Sequence, residues 1–202
     1  AVGSAEVLRS VVAHFAGVPG TYTLNGTDGP DVLDGSLGGT ILSAGGGDDT
    51  LQGGTGDWVD FYGGAGNDHL LVGDYAPYAR VIQNGAAAGD VDVVRLGAGF
   101  SPQSSIRVHA GNDLVLMDYS TGGILNLYQW FAPSSGQANI SRIEFADGTA
   151  WAESELSTDL ITATVYSGSE GSQVWGGFGG ADVMVGRGGD DQFSGNAGDD
   201  IF

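Results

Sequence analysis

The sequence has no cysteine and very few cationic side chains. Only 6 of its 202 residues are Lys or Arg, against 25 Asp or Glu, so the formal net charge is −19. Without thiols there can be no disulfide, no cysteine zinc site and no thiol nucleophile. The charge argues against nucleic acid and anionic membranes and favours a cation as partner. No apolar run approaches the roughly 18 residues of a membrane span.

Glycine is abundant instead, at 38 residues, and hydrophobic residues still make up 41 % of the chain. An acidic, glycine-rich chain is often disordered. Here both the glycines and the apolar residues are periodic, which is typical of a repeat architecture with a stacked core. We therefore expect a folded protein.

The period is nine residues, and it occurs in two blocks. The final block reads GSEGSQVWG, GFGGADVMV, GRGGDDQFS and GNAGDDIF from Gly168. The first reads GTDGPDVLD, GSLGGTILS, AGGGDDTLQ, the ten-residue GGTGDWVDFY and GGAGNDHLL from Gly26. Position eight is usually a large apolar residue, as in Leu51. The aspartates at position six are Asp31, Asp49, Asp68, Asp182, Asp191 and Asp200.

This pattern predicts stacked turns that bring aspartates together. Glycines permit the turn conformations, and one apolar side chain per repeat faces inward. Strands stack about 4.8 Å apart, and two carboxylates about 5 Å apart repel by roughly 3 kcal/mol at an effective dielectric of about 20. Such a stack needs a cation between its turns. Carboxylate and carbonyl oxygens on flexible loops favour Ca²⁺ over Mg²⁺.

The motif G-G-x-G-x-D-x-U-x resembles the repeats-in-toxin (RTX) family, over about residues 21–75 and 164–202. The resemblance implies an all-β fold of parallel β-rolls that bind several calcium ions. It also implies a module of a larger secreted bacterial protein, extracellular or on the cell surface. Such a module folds on extracellular Ca²⁺ and leaves through a type I exporter, which would read a signal beyond this chain.

The same resemblance implies the calcium ligands, because the family combines alternate turn carbonyls with carboxylates. The glycines and their polar neighbours so implied are Gly45, Gly47, Gly64 and Gly66 with Asp48 and Asn67, and Asp190, Gly198 and Asp199 in the second block. On the opposite edge of the first block Thr40 and Trp58 hold position six, so we expect a weak or empty site there, with Asp57 its only acid. Gln173 opposite Asp191 is an intermediate case.

Residues 76–163 lose the period and contain short apolar runs separated by turn signals, which predict antiparallel strands. The phrases GAGFSPQSSIRV, NLYQWF and RIEFADGTAW resemble the haemolysin-type calcium-binding-related domain, which implies no catalytic residue. AGND, at 110–113, mimics a calcium turn but is interpreted as a hairpin turn.

Residues 1–20 form the remaining segment, in which Ala5–Ala16 is predicted to be a short helix. Val7, Leu8 and Val11 share one face, Ser4 can cap the start and Gly17 follows the end. Capping of the first coil is the expected role, and partner binding is the alternative. Because the chain lacks an initiator Met and stops within a repeat, we expect it to be a segment of a longer protein.

No G-x-S-x-G or H-E-x-x-H motif is present, and the three histidines are scattered. We expect no enzyme within this chain, although a catalytic domain could lie outside it. Two functions remain open: a calcium-dependent folding and secretion module, or an adhesin-like surface for a polysaccharide or another cell-surface ligand built on the same rolls. Trp58, Trp130, Trp151 and Trp175 could stack on sugars, although packing is the preferred interpretation.

Overall fold

The fold is almost entirely β-structure, as the repeats predict. The computed structural model describes residues 22–35, 40–54, 56, 58–74, 78–82, 89–132, 140–168 and 171–202. Within these residues the one α-helix is α1, Glu153–Leu156. No helix in this described part has the length and apolar character needed to cross a membrane. The predicted helix Ala5–Ala16 lies outside the described residues.

The first repeat block forms two parallel sheets. Its strands are β1 (Tyr22–Asn25), β2 (Val32–Gly35), β3 (Thr40–Gly46), β4 (Thr50–Gly53), β5 (Val59–Ala65) and β6 (His69–Val72). Odd-numbered strands pair in one sheet and even-numbered strands in the other, so the chain alternates between the sheets. Two repeats therefore make one coil, and the predicted β-roll is confirmed.

Position-eight side chains fill the space between the sheets. Leu33, Leu51 and Leu70 lie opposite one another in successive strands, and Leu51 and Leu70 are fully buried. Each such leucine or phenylalanine stabilises the roll by roughly 1.5–3 kcal/mol. In the ten-residue repeat Phe61 pairs with Leu42. The extra residue is therefore accommodated in the turn, and the core register is kept.

The two sheets continue beyond the first repeat block into the middle segment. The strands there are β7 (Tyr78–Val81), β8 (Asp92–Leu96), β9 (Ser105–Ala110), β10 (Asp113–Asp118), β11 (Ile124–Leu127), β12 (Ile140–Glu144), β13 (Ala150–Ala152) and β14 (Ile161–Thr162). β7 and then β11 extend the first sheet in parallel, and β8 and then β12 extend the second. The antiparallel pairing predicted for this segment holds for β9–β10–β11 and β12–β13. Five other strand pairs are parallel, namely β5–β7, β7–β11, β6–β8, β8–β12 and β9–β14. In the two sheets of the roll the parallel pairing persists because Val94 and Leu125 still supply buried core residues while the turns change length.

The AGND sequence forms a hairpin turn, as interpreted. Ala110 pairs with Asp113 across the antiparallel strands β9 and β10, and Gly111 has φ +67°. The Asp113 carboxylate accepts hydrogen bonds from the Gln129 N–H at 2.7 Å and the Asn126 amide at 3.0 Å. This aspartate therefore anchors the next hairpin.

The last block is a second, smaller roll. Its strands are β15 (Thr164–Ser167), β16 (Val174–Gly176), β17 (Asp182–Val185) and β18 (Gln192–Ser194). β15 pairs in parallel with β17, and β16 with β18. The rings of Trp175 and Phe193 stack with centroids 5.6 Å apart, and those of Phe193 and Phe202 lie 6.0 Å apart. Aromatic stacking thus replaces the leucine ladder of the first roll.

The second roll packs on the outer face of the first sheet. Val183 of β17 is 1 % exposed and belongs to one apolar cluster with Val108, Val115 and Met117. These three residues lie on β9 and β10 and belong to a different cluster from the leucine core between the two sheets. The second roll is therefore held by its own hydrophobic interface.

The carboxylate of Asp118, at the end of β10, joins two loops. The Ser104 and Ser120 hydroxyls donate to it, each at 2.6 Å, and the N–H groups of Ser101 and Ser120 donate at 2.8 and 2.9 Å. Burial favours the neutral carboxyl group, but these hydrogen bonds outweigh burial and lower the pKa of Asp118 to about 2. The ionised carboxylate is thus a structural centre of this segment.

Asp118→Asn should lower the free energy of unfolding by about 2–3 kcal/mol, because its amide N–H₂ would face donors that need an acceptor. The folded pKa is below the ordinary 3.8. The wild-type advantage should therefore be complete above about pH 4 and decline as the pH falls towards 2. Urea unfolding of both proteins in saturating calcium measures the difference at each pH.

Asp147→Asn is the control, because Asp147 is exposed and an asparagine can still accept from the Thr149 N–H. Equal unfolding energies for the two variants would contradict the role of Asp118.

Candidate metal centre

The turns that join the two sheets stack along one edge of the first roll. Gly45, Gly47, Gly64 and Gly66 have φ between +99° and +123°, which favours glycine. A Cβ added at Gly64 would collide with the Gly45 carbonyl oxygen, and one added at Gly66 would collide with that of Gly47. The Gly45 and Gly47 carbonyls therefore face the next turn, in a gap where no side chain fits.

A ladder of aspartates crosses the same turns. The Asp31 N–H donates to Asp49 Oδ1 at 2.8 Å, and the Asp49 N–H donates to Asp68 Oδ1 at 3.0 Å. Each carboxylate thus uses one oxygen to bind the preceding turn. The structure brings the three predicted aspartates of this edge together.

The second oxygens of the two inner aspartates have no partner. Asp49 and Asp68 are 2 % and 0 % exposed, and the Oδ2 atom of each is buried without a hydrogen bond. A buried carboxylate oxygen without a donor is strongly destabilising unless a cation compensates it. Asp31 differs, because the Thr27 hydroxyl donates to its Oδ2 at 2.9 Å.

The pKa values of Asp49 and Asp68 reflect burial of their carboxyl groups without a donor for the second oxygen. Burial raises the pKa of Asp49 to about 6, against a hydrogen bond from the Asp31 backbone, and the charges of Asp31 and Asp48 raise it further. Burial likewise raises the pKa of Asp68 to about 7, with added repulsion from Asp92 and Asp49. A bound cation would favour the ionised forms and oppose both effects.

Asp48 and Asn67 occupy the same turns but are exposed. The Asn67 N–H and side-chain amide both donate to Asp48 Oδ1, at 2.8 and 3.1 Å, and Asn67 Oδ1 accepts from the Val91 N–H. These two residues therefore tie adjacent turns together. Their part in holding a cation stays a prediction.

Sequence reasoning missed a fourth step of the ladder. Asp92, in the middle segment, accepts from the Asp68 N–H at 2.8 Å, and Asp90 accepts from the Gly66 N–H at 2.9 Å. The sequence does contain the spacing of positions six and eight here, because Asp92 precedes buried Val94 by two residues, as Asp68 precedes Leu70. The longer connection after residue 74 had interrupted the nine-residue period.

The second roll repeats the arrangement. The Asp182 N–H donates to Asp200 Oδ1 at 2.9 Å, and the Gln173 N–H donates to Asp191 Oδ1 at 2.8 Å, so the predicted turn pairs are formed. Asp182 Oδ1 is buried without a partner. Gly198 has φ +134°. Asp190 and Asp199 are exposed in these turns, and their role as ligands stays a prediction.

The opposite edge of the first roll differs from the expectation in one respect. Thr40 pairs with Val59 rather than with Trp58, because the extra residue of the ten-residue repeat precedes the strand and moves position six from residue 58 to residue 59. Thr40 itself is buried. Asp57, the acid expected there, lies outside the described residues.

A cation at these turns must use backbone oxygens. Among the described residues no group of three or more His, Cys, Asp or Glu side chains converges on one point. Paired aspartates with unpartnered oxygens, flanked by the Gly45 and Gly47 carbonyls, instead provide a mixed set of oxygen donors. Such a set suits Ca²⁺, which accepts carboxylate and carbonyl ligands in flexible geometry.

Comparison with known families agrees with this chemistry. The family of RTX calcium-binding nonapeptide repeats matches residues 23–39, 34–57, 60–74 and 176–202. The haemolysin-type calcium binding protein related domain matches residues 113–155. The chain therefore contains RTX calcium-binding nonapeptide repeats in both repeat blocks and a haemolysin-type calcium-binding-related domain between them.

Among solved structures, the chain is similar to the extracellular lipase LipA from Serratia marcescens, at 18 % identity and a TM-score of 0.33. The alignment covers 91 % of this chain and 27 % of the lipase chain, so this chain spans about a quarter of the lipase. No curated protein matches the chain.

Asp49→Ala should raise the calcium concentration needed for folding more than Thr40→Ala does. Asp49 lies in the middle turn of the first-block stack and faces a neighbour on each side, whereas Thr40 is no expected ligand. Calcium titration followed by circular dichroism gives the midpoint for each variant. Equal midpoints would show that the assigned register is wrong.

Asp92→Asn should raise the calcium midpoint by roughly tenfold, because loss of one charged ligand costs on the order of 1–2 kcal/mol of binding. Asp74→Asn is the matched control, since Asp74 is exposed at the other end of the same sheet and its acceptor for the Ala98 N–H is retained. The same titration applies to both. If Asp92→Asn behaves like the control, Asp92 is not part of a calcium site.

Proposed function

We propose that this chain is a calcium-dependent folding module of a larger secreted bacterial protein. The observation that carries the proposal is the pair of buried oxygens, Asp49 Oδ2 and Asp68 Oδ2, that have no hydrogen-bond partner. Without a cation, the carboxylates of successive stacked turns repel one another. Binding of Ca²⁺ would remove that repulsion, so binding energy becomes folding energy.

The proposed ions lie between successive turns. In the first roll the ligands would be Asp31, Asp49, Asp68 and Asp92 with the turn carbonyls, and in the second roll Asp182, Asp191 and Asp200. Each site filled at 100 times its Kd would add about 2.7 kcal/mol of stability. Several sites together would decide whether the rolls exist, because the net stability of a domain is only about 5–15 kcal/mol.

This behaviour suits one-step export. A chain with net charge −19 would repel itself and remain extended at the low calcium concentration of the cytosol. It would pass the exporter unfolded and fold on meeting calcium outside. RTX repeats are typical of secreted bacterial proteins, which supports this route, and the export signal would lie outside this chain.

The alternative, a sugar-stacking surface built from the four tryptophans, has less support. Trp130 is 7 % exposed, and its indole N–H donates to the Ser157 hydroxyl. The Trp175 ring stacks on Phe193 and lies tilted towards Tyr166, and Trp151 packs edge-on against Phe145. These three rings are used in packing, so of the four tryptophans only Trp58 is not accounted for by such contacts within the described residues.

Calcium titration tests the folding proposal. Midpoints should lie between about 10 μM and 1 mM, within the known range of protein calcium sites, and should be cooperative because each stacked turn helps its neighbour. Equal concentrations of Mg²⁺ should produce much less β-structure. Identical circular dichroism spectra in chelator and in calcium would refute calcium-dependent folding. Submicromolar midpoints at every site would refute the export switch alone.

A further inference from the structure

The end of β1 carries two neighbouring residues that can react with each other. The sequence contains two Asn-Gly pairs, Asn25-Gly26 and Asn84-Gly85, and the second lies outside the described residues. Asn25 is the last residue of β1, its side chain is exposed, and it is not among the expected calcium ligands. The chemistry of this pair is therefore separate from the metal centre.

The reaction open to such a pair is deamidation through a cyclic imide. The Gly26 backbone nitrogen loses its proton to solvent base and attacks Asn25 Cγ, which closes a five-membered succinimide ring, while the side-chain nitrogen takes a proton and leaves as ammonia. Water then opens the ring at either of its two carbonyl carbons and gives aspartate or isoaspartate. One water is consumed and one ammonia is released, with no redox change. Glycine favours the attack because no Cβ lies beside the attacking nitrogen.

The folded roll blocks this attack. Asn25 pairs with Ser43 in the parallel sheet, and the Gly26 N–H donates to the Ser43 carbonyl oxygen at 2.8 Å. That bond holds the N–H in the plane of the sheet, whereas strand side chains stand roughly perpendicular to it. The nitrogen can reach Asn25 Cγ only after the hydrogen bond breaks and Asn25 leaves the strand conformation. Protection should therefore last as long as β1 stays paired with β3.

The glycine of the pair is required by packing. A Cβ added at Gly26 would collide with the Ala44 carbonyl oxygen and would lie 2.6 Å from Asp31 Oδ2. No larger residue fits between these oxygens. The first turn therefore needs the residue that makes Asn25 reactive, and the paired sheet supplies the protection.

We propose that Asn25 is a deamidation site, shielded in the folded roll and reactive in chains that stay unfolded. Isoaspartate runs the main chain through the former side-chain carbon, which inserts one extra atom between β1 and the first turn. Chains that remain unfolded for long would therefore lose the ability to build the first coil. The dependence of this loss on calcium rests on the proposed function.

The extra atom disturbs the aspartate ladder because the first turn is bonded at both ends. The Gly26 N–H donates to Ser43 at its start, and the Asp31 N–H donates to Asp49 Oδ1 at 2.8 Å at its end. A lengthened main chain cannot keep both bonds while Gly26 stays against the Ala44 carbonyl. Loss of the donor to the Asp49 carboxylate should raise the calcium midpoint by roughly tenfold, the effect of one hydrogen bond to a charged group.

The test follows the reaction in the full 202-residue chain in mildly alkaline buffer. Samples are incubated with saturating calcium, with chelator, and with chelator plus urea, and circular dichroism records which samples are folded. Peptide mass spectrometry measures conversion of Asn25, and electron-transfer fragmentation separates isoaspartate from aspartate. Folded samples should convert Asn25 at least about tenfold more slowly than unfolded samples, because the reaction needs local opening of the strand.

Two results would overturn the modification site. One is equal conversion of Asn25 in folded and unfolded samples. The other is absence of conversion at Asn25 in unfolded samples in which Asn84 converts, because Asn84-Gly85 is the same pair in the same chain and reports the rate of the chemistry.

Matched variants test the effect on folding. Wild type and Asn25→Gln are aged in chelator plus urea and then transferred to calcium. Aged Asn25→Gln should keep its original calcium midpoint, because its longer side chain closes a ring far more slowly, although Asn84 ages equally in both proteins. The isoaspartate-containing fraction of aged wild type should show the raised midpoint. Equal midpoints for the two aged proteins would refute the loss of folding ability.

Freshly prepared Asn25→Asp separates the added charge from the altered main chain. It should fold like the unaged wild type, because residue 25 is exposed and the main chain keeps its length. A raised midpoint in this variant would assign the effect to charge and would contradict the role of isoaspartate.

The chelator sample separates this inference from the calcium proposal. If the chain stays folded in chelator, calcium-dependent folding fails alone. Slow conversion of Asn25 there and fast conversion in urea would still support the modification site, and the aged proteins are then compared by their urea midpoints. If the chain unfolds in chelator but Asn25 converts equally with and without calcium, the modification site fails alone.

Discussion

The structure depends on carboxylates that are only half satisfied by the protein. Asp49 and Asp68 each use one oxygen to accept the N–H of the preceding turn, which holds the turns in register. The other oxygen is buried and has no partner. The same side chain thus stabilises the stack through one atom and destabilises it through the other. In the proposed function, a cation bound to the second oxygen would make the net contribution of the side chain stabilising, and folding would then depend on calcium.

The aspartate ladder and the parallel sheets extend beyond the nine-residue repeats. The sheets continue from β5 and β6 into β7 and β8 by parallel pairing, and Asp92 continues the ladder on β8. In the second roll, Asp182 is followed by Val183, which packs against the outer face of the first sheet. At both places an aspartate of the ladder is followed, within one or two residues, by a buried apolar side chain, Val94 or Val183.

In the middle segment the parallel β-roll gives way to antiparallel hairpins. Its first strands keep the parallel pairing, and the hairpins β9–β10 and β12–β13 then close it with antiparallel pairs. Asp118 illustrates a different use of the same residue type. There the hydroxyl and N–H donors of a serine-rich loop satisfy the carboxylate, and its pKa is lowered. Whether a buried aspartate needs a metal thus depends on the donors around it.

The repeats, the inward position-eight residues and the pairing of aspartate-bearing turns could be predicted from the sequence alone. These features depend on local spacing: glycine permits the turns, and a period of nine returns the same side chain to the same face. The limits of the rolls could not be predicted in this way. Asp92 and Val94 keep the pattern after a connection of different length, and Thr40 pairs with Val59 because the extra residue of one repeat precedes the strand. The packing of Val183 on Val108 was also unpredictable. It arises between segments far apart in the chain, where burial is decided by tertiary contacts and not by neighbours in sequence.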